Sequence, residues 1–274
     1  MREKILLAGE TNTSKTMSLV QLSLLYPDKK VVILDPDDGV EKVVEELGFE
    51  NYMSLTPQIA EALGWQLSRD NMMPLTIIPV TPNWELMMKT YNMVKEQLGA
   101  GDWFCMDMMN RFWDFAQNYF SRMVLGKTPS ENLIALQKEA QKVSFGGFDG
   151  LTHWATIKRM HNEELVDDAL LWSPFNVMAT TSVGTYLPME KMPAKTTLES
   201  LIATEFGIKI EGEKHNLYRF DTIAVMQRKM QGDRLSFTFR LAKDKGRVIN
   251  PREVFDFTGS SFWSKYCEYR GREL

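Results

Sequence analysis

Along the first half of the chain, short apolar runs alternate with stretches in which apolar residues recur every three or four positions. Lys4–Ala8, Val31–Leu34, Leu75–Val80 and Trp103–Met106 are the runs, each of a length that suits a buried strand rather than a helix. Between them, Met17, Val20 and Leu24 predict a helix over Lys15–Leu25. Val40, Val43, Val44 and Leu47 predict another, stopped by Gly48, and Met87, Tyr91, Val94 and Leu98 a third between Asn83 and Gly99. An aromatic helix follows from Met108 to Met123, and a further helix over Thr152–Leu171 leads to a strand at Phe175–Thr180. This alternation predicts an α/β fold with a mostly parallel central sheet, covered by helices on both faces. Near the C-terminus the pattern changes. Phe220–Met230 and Leu235–Ala242 flank Gln231-Gly232-Asp233, a hairpin signal that adds an antiparallel edge.

The 274 residues read as a single domain, with a core over residues 1–250 and a C-terminal extension over 251–274. Gly126–Gly150 and Ser182–Lys209 resist a regular reading and are expected as long functional loops, with a short helical stretch inside the first. A net charge of −4 argues against a basic protein that coats nucleic acid, without excluding local contacts. Cys105 and Cys267 form neither a disulfide framework nor a metal pair, so a reduced, cytoplasmic setting is expected. No signal peptide is expected, the first strand following directly on Met1–Lys4, and no apolar run approaches the ~20 residues of a membrane span. His153, His161 and His215 lack metal-ligand spacing, and the methionines and tryptophans are expected in the core or at interfaces.

The chemistry begins directly after the first strand. Gly9-Glu10-Thr11-Asn12-Thr13-Ser14-Lys15-Thr16 follows the phosphate-loop pattern G-x-x-x-x-G-K-S/T, with Ser14 in place of the second glycine. Such a loop turns its N–H groups around an anion, and the following helix adds its positive N-terminal dipole. Lys15 would reach the β- and γ-phosphates of a nucleoside triphosphate, and the Thr16 hydroxyl would sit on Mg²⁺. Asp107 ends the strand Trp103–Met106 and so emerges at the C-terminal edge of the sheet, where α/β proteins bind ligands. There it either holds the metal opposite Thr16 or caps the next helix. Asp35-Pro36-Asp37-Asp38-Gly39 ends the second strand. Asp37 is the candidate for orienting the attacking water; alternatively the segment is a turn that caps the helix at Val40.

This order of motifs resembles the RecA-type ATPase core: a phosphate loop, a strand ending in Asp-x-acid, a hydrophobic strand ending in Asp, a strand ending in polar residues, and Lys-x-Lys. In bacterial RecA the second-strand motif reads Asp-Ala-Glu-His and its glutamate activates water; Asp37 stands at that glutamate's place. The strand Asn176–Thr181 corresponds to the one that ends in a polar sensor, so the resemblance implies that Thr180 or Thr181, taken here as Thr181, touches the γ-phosphate. Lys243-Asp244-Lys245-Gly246-Arg247 resembles the paired cations that act across a subunit interface, which implies catalytic roles in a neighbour's site for Lys243, Lys245 and Arg247. The bland alternative is a solvated basic end of the hairpin. The compact form is most similar to the RecA-like nucleotide-binding proteins of bacteriophages, including those linked to recombination.

The resemblance implies ATP and Mg²⁺ as cofactors, self-association into a ring or filament, and single-stranded DNA as a candidate partner. DNA would lie against the two long loops, where Tyr186, Lys191 and Lys195 combine stacking with phosphate contact. Two other readings stay open. One is a nucleotide-gated assembly or packaging component that does not hydrolyse; the other is a P-loop kinase, for which no arginine-bearing lid is evident.

Overall fold

The computed structural model describes residues 2–138, 152–185 and 197–273. Its first half alternates β1 (Lys4–Gly9), α1 (Lys15–Leu25), β2 (Val31–Asp35), α2 (Val40–Glu46), β3 (Tyr52–Ser54), α3 (Pro57–Ala62), β4 (Leu75–Pro79), α4 (Trp84–Lys95), β5 (Trp103–Met106) and α5 (Met109–Leu125), as the patterning predicts except for β3 and α3, which it does not mark. There follow α6 (Pro129–Lys138), α7 (His153–Arg159), wide π-helical turns over Met160–Val166 and Asp168–Trp172, and β6 (Asn176–Thr181). The remainder comprises β7 (Val183–Gly184), α8 (Leu198–Phe206), β8 (Lys209–Ile210), α9 (Asn216–Arg219), β9 (Thr222–Gln231), β10 (Arg234–Asp244), β11 (Phe255–Asp256) and α10 (Phe262–Arg270).

Nine strands form one sheet in the order β11-β10-β9-β1-β6-β5-β2-β4-β3. All pairings from β9 to β3 are parallel, and β10 and β11 add the antiparallel C-terminal edge. This is the mostly parallel α/β architecture with an antiparallel C-terminal edge that the patterning led us to expect. The hairpin turns at Gly232-Asp233, where Gly232 takes the positive φ of 62° that a two-residue turn requires.

Strand alternation sends neighbouring residues to opposite faces. Ile5, Leu7, Ile33, Cys105 and Met178 face α1, α2 and α10, whereas Leu6, Leu34, Phe104, Met106 and Ala179 face α4, α5 and α8. Residues 251–274, expected as an extension, bring Phe262, Trp263 and Tyr266 into the first of these cores. There the Trp263 indole donates to the Ser18 carbonyl at 2.7 Å.

The short helical stretch expected inside the first long loop is α6, while α3, α8, α9, α10 and the short strands β3, β7, β8 and β11 escaped the periodicity because they are short or marked by caps instead. Thr56 caps α3, with Pro57 in its first turn; Thr128 and Glu131 form a reciprocal capping box on α6; Thr197 and Ser261 cap α8 and α10. The segments Gly126–Gly150 and Ser182–Lys209 are therefore partly helical. Tyr186, Lys191 and Lys195 lie outside the described residues.

Candidate functional site

The loop between β1 and α1 is built around close backbone approach. A Cβ at Gly9 would stand 2.6 Å from the Met226 carbonyl oxygen of β9 and 2.8 Å from Thr13 Oγ1, so only glycine fits there. Asn12 and Ser14 both adopt the left-handed conformation, at φ 60° and 67°. Ser14 thus takes the backbone shape that a glycine would take, and its carbonyl accepts the Ser18 amide at 3.1 Å to start α1. Glu10, Thr11 and Asn12 are exposed, while Thr13 and Lys15 are buried. Lys15 Nζ donates to the carbonyls of Gly9 (2.9 Å) and Glu10 (2.7 Å). Burial lowers the pKa of its ammonium, an effect opposed by Asp107 and Glu10.

Asp107 follows β5, its amide bonded to the Leu34 carbonyl at 2.9 Å. Its side chain caps nothing. Thr16 Oγ1 donates to Oδ2 at 2.6 Å, and Thr180 Oγ1 donates to Oδ1. Burial pushes the carboxyl up, against the two hydroxyl donors and Lys15, and Asp37 pushes it further. A hydroxyl and a buried carboxylate at hydrogen-bond distance are hard oxygen donors of the kind Mg²⁺ takes. The loop's left-handed residues, its buried lysine and the start of α1 have the chemistry of a phosphate cradle. The residues present therefore fit Mg-ATP.

In the acidic segment after β2, the roles divide. Asp35 forms the turn: its carboxylate accepts the amides of Val40 (2.8 Å) and Asp37 (3.2 Å), and burial raises its pKa to about 6. Asp37 turns outward and pairs with Arg111 of α5, Nε to Oδ1 at 2.9 Å, beside a cleft of about 460 Å³ between Pro36, Pro82 and Phe115.

Thr181 lies on the other face of the sheet from Asp107. Its hydroxyl donates to the Glu211 carbonyl at 3.0 Å and faces Asn110. Strand alternation decides this: Thr180 shares a face with Met178, toward α1, and Thr181 shares one with Ala179, toward α5. The basic segment sits at the opposite edge of the sheet from the loop, because Asp244 pairs with Thr222 at the start of β9. Lys243 Nζ donates to the carbonyls of Leu217 and Tyr218, each at 3.1 Å, and of Phe220. Arg247 donates to the last carbonyls of α10, Tyr269 (3.0 Å) and Arg270 (3.1 Å). Lys245 and Arg247 are both exposed, and Lys245 lies 3.5 Å from Asp221.

Sequence reasoning passed over Arg111. No local motif marks an arginine in the first turn of an aromatic helix as the partner of a residue 74 positions earlier. Buried His161 is held neutral, its pKa lowered to about 4 by burial, and His215 pairs with Glu213. Among the described residues no cluster of His, Cys, Asp or Glu could hold a metal without Thr16, and no helix is long and apolar enough to cross a membrane.

No protein-family profile matches the chain, and no curated protein matches it. Among solved structures it is similar to a KaiC-like protein from the hyperthermophilic archaeon Pyrococcus horikoshii OT3, at 12% identity and a TM-score of 0.45, over 92% of this chain and 83% of that one.

Proposed function

We propose that the chain binds and hydrolyses ATP with Mg²⁺ and works as an oligomer of RecA-like subunits on single-stranded DNA. One observation carries the nucleotide reading: the buried Asp107 carboxylate meets the Thr16 hydroxyl of the phosphate loop at 2.6 Å, joining the ends of β1 and β5 into one site. In this reading Lys15 and the amides of residues 9–16 hold the phosphates, and Thr16 and Asp107 hold the metal. Bound there, Mg²⁺ would neutralise charge on the phosphate oxygens. Asp37 orients the attacking water, which requires its carboxylate to leave or share Arg111. Lys245 is the best placed of the three basic candidates to reach a neighbour's site, because Lys243 and Arg247 are engaged by carbonyls of their own chain. DNA contact and oligomerisation rest on the resemblance of the motif order. Phosphate release measured with and without single-stranded DNA is the test. Lys15→Ala should abolish it while leaving the circular dichroism unchanged; undiminished release from that variant would sink the assignment.

The Asp37–Arg111 pair favours a second reading, a nucleotide-gated assembly component that binds ATP without turnover. A single-turnover assay separates the two. In the hydrolysing case bound ATP converts to ADP, and Asp37→Asn slows that conversion by roughly 10²–10⁴-fold. In the gating case ATP stays intact in both proteins.

A further inference from the structure

We propose that Thr180 is the positioning residue that aims Asp107 at the metal, an inference that rests on reading Thr16 and Asp107 as the Mg²⁺ site. The Asp107 backbone is fixed by β2, through the Leu34 carbonyl at 2.9 Å, but nothing in that contact sets the rotation of the carboxylate. The two oxygens are set by two hydroxyls, Thr16 on Oδ2 and Thr180 on Oδ1. They are not equivalent. Thr16 stands in the first turn of α1, and a hydroxyl that ligates a cation must turn its lone pair toward that cation. Thr180 is wholly buried in the middle of the sheet, between β1 and β5, where Leu7 and Met106 belong to the flanking strands. Among the described residues its hydroxyl donates to Asp107 alone. A β-branched side chain on a strand has little freedom at χ1, so this donor stays aimed while Thr16 changes partner. Thr180 thus pins Oδ1 and leaves Oδ2 facing the loop, the arrangement by which an outer hydrogen bond orients a ligating group.

The position also explains the choice of residue. A valine of the same shape would pack equally well beside Leu7, its register partner on β1, with Met178 two residues earlier on the same face. A hydroxyl at this point has value only as a donor, and its acceptor is the Asp107 carboxylate. Thr181, next in sequence, is on the other face and cannot substitute.

The test uses the full chain and a fluorescent ATP analogue, whose binding is followed as Mg²⁺ is added and, separately, with chelator present. Thr180→Val should raise the Mg²⁺ concentration for half-maximal response about tenfold or more, the usual loss when an outer partner of a metal ligand is removed. Its affinity for the analogue in chelator should match wild type, and Thr180→Ser should restore the wild-type Mg²⁺ response. If Thr180→Val does not fold, Thr180→Ala is read in the same assay against Thr180→Ser. An unchanged Mg²⁺ response in Thr180→Val, or an equal loss of affinity in chelator, overturns the role of Thr180 while the site reading stands. A wild-type protein whose nucleotide binding ignores Mg²⁺ overturns both.

Discussion

Each edge of the parallel sheet holds a buried carboxylate, and the two are satisfied in opposite ways. At the edge remote from the phosphate loop, Asp244 meets charge: Arg270 Nη1 lies 2.7 and 2.9 Å from its two oxygens, and Tyr269 adds a hydroxyl at 2.9 Å. Arg270 also faces Glu3, which in turn holds Arg272 at 2.6 Å, so β1, β10 and α10 are tied into one closed network. At the loop edge, Asp107 is hydrogen-bonded among the described residues only by the neutral hydroxyls of Thr16 and Thr180, and Lys15, bonded to loop carbonyls, acts on it through space. Burial accordingly pushes the Asp107 carboxyl up. A structural network completes its own charge balance; a buried carboxylate short of positive charge is poised to take a cation.

The comparison breaks first at Arg270. Arg270→Leu leaves Asp244 buried and unpaired, which should cost roughly 3–5 kcal/mol in denaturant unfolding, with nucleotide affinity of the folded protein unchanged. A loss of nucleotide binding in proportion would mean that the remote edge is part of the site. Asp107→Asn should do the reverse. It removes an uncompensated charge, so stability is kept or rises, while turnover falls at least about a hundredfold, roughly 3 kcal/mol in barrier. Marked destabilisation of that variant would place Asp107 with Asp244 as a structural group.

Asp35 sharpens the same point through pH. Its folded pKa, raised to about 6 by burial and by the nearby Asp107, lies above the unfolded value. A carboxyl shifted in this direction favours the folded state when protonated. Its contribution is full below the unfolded pKa and is lost as pH rises through about 6. Over that window wild type should lose on the order of 3 kcal/mol relative to Asp35→Asn. Parallel stability–pH curves would show that this edge is not short of positive charge. The smallest effect is expected at Ser14, where a side chain occupies a left-handed backbone. Ser14→Gly should stabilise the protein by about 1 kcal/mol and keep nucleotide binding; a lower stability would show that the serine side chain does more than fill the position.

Apart from β3 and α3, the strands and helices of the first half were legible because each is long enough to show its own period, and the phosphate loop because its residues are contiguous. Asp107 was visible as the polar end of an apolar run. The partner of Asp37 was not, since Arg111 comes from another helix and its rotation about that helix is set by how Phe112, Phe115 and Ala116 pack against the sheet. The basic run Lys243–Arg247 reads as a free end, yet its outer two cations answer carbonyls of residues 217–220 and 269–270.

From sequence alone came the element types, the sheet class, the loop that fits a phosphate and the strand ends that carry its acidic partners. All of these follow from local periodicity or from neighbouring residues. Which threonine of the Thr180–Thr181 pair touches Asp107, what covers Asp37, and which lysine is exposed were decided by tertiary structure. The first depends on which face of a strand a residue takes once its neighbours in the sheet are in place, and the other two on which helices pack against the sheet ends. One step of register exchanges those faces, and only the assembled sheet selects the register.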